Sequence, residues 1–233
     1  MPNRWERNAD NVLVPKIPSE GVKKESIQVL PAYSKTDDFG YATDAQVDLV
    51  YAAQTGDTLS YVATGTKDAS GATAGNTAGF ITLGAGNFVD PTKKLVFKAR
   101  VELDTLDTEL FAYIGCAETT PTAADPPVEG DDFIGFTLVE TTLNVNWQCV
   151  TATDLGTDET KVDSGIVVDL LPHDFEFTLE NSVATFKIDG NVVGSSTTNL
   201  PVTTALVPQI KVTTGDTNVK GIIADVLQVT NSR

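Results

Sequence analysis

The stretch FEFTLENSVATFKIDGNVV, residues 175–193, constrains the fold of this 233-residue chain more than any other segment. From residue 175 to 179 every second residue is apolar, which is the period-two pattern of a strand with one buried face. Asn181-Ser182 and Asp189-Gly190 interrupt the pattern, and both dipeptides suit two-residue hairpin turns. The segment therefore predicts three antiparallel strands with one dry face and one wet face.

Strand patterns continue along most of the chain, and no segment has a convincing helical period. The predicted strands are 58–63, 78–83, 93–103, 109–117, 132–139, 143–151, 161–168, 174–180, 183–188, 191–197, 207–213 and 219–230. Turn-rich stretches separate them at short spacing, which is typical of a sandwich or jelly roll.

The charge of the chain excludes some function classes. The net charge is −16, which argues against binding of nucleic acid through the body of the protein.

No run approaches the roughly 18 apolar residues of a membrane helix, and the N-terminus has charges and prolines where a signal peptide needs an apolar region. We therefore expect synthesis in the cytoplasm without an export signal.

The first 36 residues differ in charge and composition from the remainder. They carry six basic and four acidic side chains, a net charge of +2, whereas residues 37–233 carry ten basic and 28 acidic ones, a net charge of −18. This segment also contains four prolines and no sustained period of either kind. We therefore predict an extended N-terminal arm over residues 1–36 and one β domain over residues 37–233.

Two interpretations of the arm remain open: a disordered, solvated tail, or a segment that orders on a partner. Trp and Arg are favoured at the centres of protein interfaces, and Trp5 lies between two arginines. The second interpretation predicts contact with the partner through seven residues: Arg4, Trp5, Arg7, Val12, Leu13, Val14 and Ile17.

The cysteines and the single histidine suggest no metal centre. Cys149 shares the apolar register of Trp147, which favours a reduced thiol in the core, while a disulfide to Cys116 stays open. His173 lies at a strand start next to Pro172, where a structural role is favoured. Two cysteines and one histidine do not supply the usual four closely spaced ligands of a zinc site.

Loop carboxylates are an alternative set of metal ligands, for calcium. Calcium takes several oxygen ligands from a constrained loop, and the spacing of these acids does not match an EF-hand. The interpretation as ordinary solvated acids is favoured, so we predict no metal and no cofactor. The acids concerned are Asp131, Asp132, Asp154 and Asp158.

Four segments, taken in order, resemble the concanavalin-A-like, laminin-G-like jelly-roll domains. They are LVFKARVELDTLDTELFAYIGCAE (95–118), FIGFTLVETTLNVNWQCV (133–150), HDFEFTLENSVATFKIDGNVV (173–193) and KGIIADVLQVT (220–230). The resemblance covers residues 78–230 and specifies fold rather than function, because one fold hosts many activities. It implies an all-β, concanavalin-A-like β-sandwich (jelly roll) behind the arm.

The same superfamily includes laminarinase-type glycoside hydrolases, whose strand motif is Glu-x-Asp-x-x-Glu. This chain has ELDTLD at residues 102–107, which is close to that motif, but the shorter Asp107 replaces the last Glu. A retaining glycosidase needs two carboxyl groups roughly 5 Å apart, whereas a cross-paired wet face that also carries Lys98 and Arg100 explains these charges without catalysis. We therefore predict no catalytic residues and no enzymatic activity.

Jelly rolls of this kind are frequent in bacteriophage virion proteins, among them head decoration proteins, fibres and tail parts. The resemblance, with the acidic charge and the arm, implies a non-enzymatic virion protein, specifically a capsid decoration or cement protein. Its expected partners are the major capsid protein or other virion proteins, and homo-oligomerisation, for example as a trimer, would add avidity. The alternative function is a carbohydrate-binding module of a phage fibre or tail adhesin that recognises host glycans.

Overall fold

Strands make up all the regular structure in the part of the chain that the computed structural model describes. The described residues are 5–7, 13–15, 33–38, 49–51, 58–62, 65–70, 72–73, 75, 77–82, 89–118, 130–140, 145–202 and 206–232. Within these ranges there is no helix with the length and apolar character needed to cross a membrane.

Seven strands form the first sheet of a sandwich, and all their pairings are antiparallel. In spatial order they are β12 (Asp158–Val167), β11 (Asn146–Asp154), β10 (Phe133–Glu140), β9 (Leu110–Ala117), β16 (Val207–Thr214), β7 (Thr77–Thr82) and β4 (Leu49–Tyr51).

The second sheet is also antiparallel and has the strand Gly221–Asn231, β17, at its centre. In spatial order it consists of β15 (Asn191–Ser196), β14 (Val183–Ile188), β13 (His173–Glu180), β8 (Leu95–Leu103), β17 (Gly221–Asn231), β6 (Gly65–Ala69) and β5 (Thr58–Val62), and β3 (Tyr33–Asp38) also pairs with β17. The predicted all-β sandwich is therefore confirmed.

The first residues of the chain form a separate unit. Contacts divide the chain between Leu30 and Pro31, six residues before the predicted end of the arm at residue 36. The difference arises because β3 begins at Tyr33 and belongs to the eight-stranded sheet. Within the N-terminal unit, β1 (Trp5–Arg7) pairs antiparallel with β2 (Leu13–Pro15).

The sheets enclose one apolar core that is built on aromatic rings from both sides. Phe175 of β13 contacts Phe136 of β10 and Trp147 of β11, with ring centroids 5.0 and 4.8 Å away. Phe97 and Phe177 stack at 5.1 Å. All five rings are at most 2% exposed, and the burial of each such side chain contributes about 1.5–3 kcal/mol.

The two hairpin turns predicted in residues 175–193 have the backbone that two-residue turns require. Asn181 and Ser182 have φ angles of 52° and 61°, and Asp189 and Gly190 have 53° and 78°. Positive φ at both central residues matches the right-handed twist of the flanking strands. The turns thus keep β13, β14 and β15 in the register that sends their apolar residues to the core.

A glycine pair allows β9 and β10 to approach closely. Gly115 and Gly135 face each other in register. A Cβ on Gly115 would lie 2.2 Å from the carbonyl oxygen of Ile134 and 2.7 Å from the Cα of Gly135. Because both obstacles are backbone atoms, no side-chain rotation can relieve the clash.

We expect Gly115→Ala to lower the free energy of unfolding by about 1–3 kcal/mol, since the two strands must separate to admit the methyl group. Gly194→Ala is the matched control, because its Cβ would meet side-chain atoms of Val162 and Cys149 at 3.2–3.3 Å, and these can adjust. Urea unfolding followed by circular dichroism measures both. Equal losses in the two variants would contradict the backbone clash at Gly115.

Candidate functional site

The outer face of the seven-stranded sheet combines aromatic, amide and charged side chains on neighbouring strands. Residues that alternate with core residues point to this side, and cross-strand pairing aligns them in rows. One row consists of Gln148, Thr137, Tyr113 and Lys211. The next row consists of Val150, Gly135, Gly115 and Gln209. Phe133, Glu159 and Lys161 lie on the same face. We call the two rows and these three residues together the outer-face site.

An aromatic pair covers the glycines of this site. Tyr113 and Phe133 each lie two residues before a glycine of the pair, on opposite strands, and their rings meet edge to face at 6.3 Å. Phe133 is fully buried in a small cluster outside the main core, together with Val150 and Leu155. Tyr113 is half-buried, so part of its ring remains available to a ligand.

A carboxylate lies close to the tyrosine. Burial, and then the negative charge of Glu159, raise the pKa of Tyr113 above its ordinary value, so its hydroxyl stays protonated. The Glu159 carboxylate pairs with the ammonium of Lys161 and accepts the backbone N–H of Gly156 at 3.2 Å. These contacts fix the carboxylate on the edge strand β12.

Gln209 presents a hydrogen-bond acceptor with no donor. Its residue is 1% exposed, and within the part of the chain that the structure describes its Oε1 accepts no hydrogen bond. A buried polar atom left in this state costs about 1–3 kcal/mol, so it is rare unless it has another use. Gln209 lies in register with Gly115 on the neighbouring strand β9.

Together these groups suit a ligand with hydroxyl groups and an apolar face. Tyr113 supplies a ring, Glu159 supplies an acceptor, and Gln148 supplies an amide whose Nε2 donates to the carbonyl of Asn146 at 3.2 Å. None of these residues is predicted as a site residue by the sequence patterns. Alternation within predicted strands 109–117 and 207–213 puts Tyr113 and Gln209 off the core, but it cannot reveal an unpaired acceptor.

We expect Gln209→Met to leave the free energy of unfolding unchanged or to raise it by about 1–2 kcal/mol, because it removes a buried acceptor that has no donor. Gln228→Met, on the outer face of the other sheet opposite Lys98, is the matched control and should bring no such gain. Thermal and urea unfolding measure both variants. A clear loss of stability in Gln209→Met would mean that Oε1 is satisfied.

The acids of the hydrolase-like segment 102–107 lie at the other sheet, where most are paired. Asp104 Oδ2 pairs with Lys67 Nζ at 2.5 Å, and Asp107 Oδ2 pairs with the buried Lys220 Nζ at 2.8 Å. Hydrogen bonding from Lys220 lowers the pKa of Asp107. Glu102 has a buried Oε2 that accepts no hydrogen bond within the described residues.

The wet face of the eight-stranded sheet is cross-paired, as the sequence predicted. Lys98 binds Glu176 at 2.8 Å, and Arg100 binds Asp174 at 3.2 Å and Asp225 at 3.7 Å. Burial opposes ionisation of Glu176, but hydrogen bonds from Lys98 and Lys187 outweigh it and lower the pKa of this carboxyl. The basic residues of this face are therefore engaged by neighbouring acids.

His173 joins two segments through both of its ring nitrogens. Nδ1 lies 2.7 Å from Asp189 Oδ2, and Nε2 lies 3.1 Å from Asp169 Oδ1. Burial opposes ionisation of Asp189, but the backbone N–H of Asp174 and the His173 ring hold its pKa below the ordinary value. These contacts tie the loop before β13 to the β14–β15 turn and give His173 a structural role.

Both cysteines are free and buried, on β9 and β11, with β10 between them. The alternative of a disulfide is therefore excluded in this structure. Burial, with a smaller effect of Asp163, raises the pKa of Cys149 to about 12, and burial raises that of Cys116 well above its ordinary value.

Three of the acids considered for calcium lie near the β11–β12 turn. Asp154 and Asp158 face each other across it, and the backbone carbonyl of Asp131 accepts the N–H of Leu155 at 3.0 Å. Asp132 Oδ2 accepts the backbone N–H of Val202 at 2.7 Å. Over the described residues, no three His, Cys, Asp or Glu side chains come together in a group that could hold a metal ion.

The seven predicted arm residues fall partly within the described segments. Trp5 and Arg7 lie in β1, and Leu13 and Val14 lie in β2, where Arg7 pairs with Leu13. Arg4, Val12 and Ile17 lie outside the described residues. Their role in partner binding stays a prediction.

The chain matches no known family model and no curated protein sequence. Its fold is similar to that of solved structures. The β-glucanase of Bacillus licheniformis has a TM-score of 0.58 at 11% identity and covers 86% of this chain and 98% of its own. The carbohydrate recognition domain of Emp47p has 0.60 at 10% identity, covering 90% and 100%. Apo Crh5 transglycosylase has 0.59 at 14% identity, covering 88% and 86%.

These likenesses correct one prediction. The sequence predicted a chain without enzymatic activity, and that exclusion is wrong, because glucanases, a glycosidic hydrolase and a transglycosylase are among the structural neighbours. At 10–14% identity the likeness shows the fold, a concanavalin-A-like jelly roll shared by glycosidases and a carbohydrate recognition domain. None of these neighbours is described as a phage protein.

Proposed function

We propose that this chain binds carbohydrate through the outer-face site. The observation that carries the proposal is the half-buried ring of Tyr113, which lies near the carboxylate of Glu159 and in one row with the amide of Gln148. A sugar hydroxyl is a donor that a carboxylate or amide oxygen can accept from. At the level of the fold, a carbohydrate recognition domain and glucanases among the structural neighbours support the proposal.

Tyr113 provides the surface on which a sugar ring packs. The C–H bonds of a pyranose form an apolar face, and ligand sites commonly pair such faces with aromatic side chains and a few well-placed polar groups. The edge-to-face contact with Phe133 holds the Tyr113 ring in place. Less side-chain freedom is then lost when the ligand binds.

The charge around the site favours a neutral glycan over an acidic one. Glu159 is the carboxylate whose charge raises the pKa of Tyr113, and Lys161 is already paired with Glu159. The chain as a whole carries a net charge of −16, which repels anionic ligands. Neutral sugars with neighbouring hydroxyl groups fit this set of acceptors.

The test is a glycan array that includes β-glucan and N-acetylglucosamine oligosaccharides, followed by calorimetry on the best ligand. We expect Tyr113→Ala to abolish binding, Tyr113→Phe to retain most of it, and Gln148→Met to weaken it roughly tenfold for one lost hydrogen bond. Gln228→Met, on the opposite sheet, should bind like the unmodified protein. Absence of any ligand, or equal affinity in all variants, would refute the site.

The same oligosaccharide also distinguishes binding from turnover. It is incubated with the protein and analysed by mass spectrometry for shorter or transferred products. Recovery of the intact ligand would assign a binding role, whereas new products that disappear in Glu159→Gln would make the outer-face site a catalytic one.

We also propose that the N-terminal residues attach the jelly roll to a larger assembly, with a phage capsid as the expected one. The supporting observation is the segregation of charge, +2 on residues 1–36 against −18 on the rest, together with the separate N-terminal unit. In this proposal the protein decorates the virion as a homo-oligomer, and Arg4 and Arg7 pair with acids of the major capsid protein while Trp5 is buried.

Deletion of residues 1–30 tests the attachment, since it leaves β3 in the sheet. We expect the truncated protein to keep the thermal unfolding temperature of the full chain and to lose co-sedimentation with its native particle. Trp5→Ala in the full chain should weaken co-sedimentation in the same direction. Full occupancy by the truncated protein would rule out attachment through this segment.

A further inference from the structure

A groove of about 460 Å³ lies at one end of the sandwich and shares no lining residue with the outer-face site. Three segments form it: the loop that enters β8, the β13–β14 turn and the segment after β15. Its lining comprises residues 91–94, 179–182 and 200–202. The volume is in the range of small-molecule sites, which is roughly 300–1,000 Å³.

The walls of the groove are fixed by buried polar side chains. Asn231 donates from Nδ2 to the carbonyls of Asp90 and Lys94 at 3.0 and 3.1 Å, and its Oδ1 accepts the N–H of Asp90 at 2.9 Å. On another wall, Asp132 accepts the N–H of Val202 at 2.7 Å. The groove therefore exists without a ligand, which lowers the entropic cost of binding.

The floor of the groove is apolar and contains no aromatic ring. Pro91, Leu179 and Pro201 are buried, and Leu200 is half-buried, while Val202 is exposed at the rim. Aliphatic side chains of this kind favour an aliphatic partner, since removal of apolar surface from water is the main gain. This floor is unlike the outer-face site, where Tyr113 offers a ring.

One cation at the rim has no counter-charge. Lys94 Nζ pairs with Glu180 Oε2 at 3.1 Å. Lys93 is exposed, and among the lysine and arginine side chains that the structure describes its ammonium alone makes no hydrogen bond or ion pair. In a chain with a net charge of −16, an unpaired lysine beside an apolar groove marks a place where an anion is tolerated.

We propose that this groove binds a small carboxylate with an aliphatic tail, such as a medium-chain fatty acid anion. The tail lies on Leu179, Leu200 and the two prolines, and the carboxylate meets the ammonium of Lys93. The Lys94–Glu180 pair closes the side of the groove and contributes no net charge. This site is independent of carbohydrate binding at the outer face.

The test is a titration of the full chain with octanoate, in which the amide resonances of ¹H–¹⁵N NMR spectra are monitored. We expect saturable shifts confined to residues 90–94, 179–182 and 200–202. Lys93→Gln should weaken the binding of octanoate roughly three- to fivefold, since an exposed ion pair contributes up to about 1 kcal/mol. Val202→Ser should weaken it too, by removing part of the apolar rim.

Octanamide and glucuronate are the control ligands that distinguish the possible outcomes. Octanamide should bind more weakly than octanoate and with an affinity that Lys93→Gln leaves unchanged. The proposal is overturned if octanamide binds as well as octanoate, if glucuronate shifts the groove resonances and octanoate does not, or if the octanoate shifts are unsaturable and dispersed. Tyr113→Ala, which tests the glycan site, should leave the octanoate affinity intact.

Discussion

The contact between aromatic rings of the two sheets is the interaction on which the rest of the structure depends. Phe175 joins Phe136 and Trp147 across the core, and each ring is brought there by strict alternation along its strand. Because a slip of one residue would turn every side chain of a strand to the other face, this contact also fixes the register. The outer face of the seven-stranded sheet, on which the proposed carbohydrate site lies, is therefore set by the packing inside.

Sequence patterns predicted the parts of the fold in which alternation is strong. Residues 175–193 gave three strands and two turns because apolar period and turn chemistry agree there. Strand β6 was missed, since GTKDA has a single apolar residue and the surrounding stretch is rich in glycine. It pairs with the neighbouring strand β5 on one side and with β17 on the other, and no local pattern reveals the second partner, which is more than 150 residues away.

The candidate site was less predictable than the fold, for a physical reason. Whether an amide oxygen such as that of Gln209 finds a donor depends on side chains from several strands, and period-two alternation does not specify them. The same holds for Lys93, whose lack of a partner emerges only when every other basic side chain is placed. By contrast, the cross-pairing of Lys98 and Arg100 followed from alternation of charge on one face. This correct prediction of paired charges was used to support the wrong prediction that the chain has no enzymatic activity. The pairing of charges on one sheet does not bear on the chemistry of the other sheet.

The position of β17 has a consequence for how this protein is made. The strand Gly221–Asn231 lies at the centre of the eight-stranded sheet, between β8 on one side and β6 and β3 on the other. During synthesis, those strands leave the ribosome long before the strand that joins them. Until β17 arrives, two half-sheets expose unpaired edges, which invite contacts with other chains. The nascent chain thus passes through an aggregation-prone stage that lasts until β17 is made, and its large negative charge opposes association at that stage.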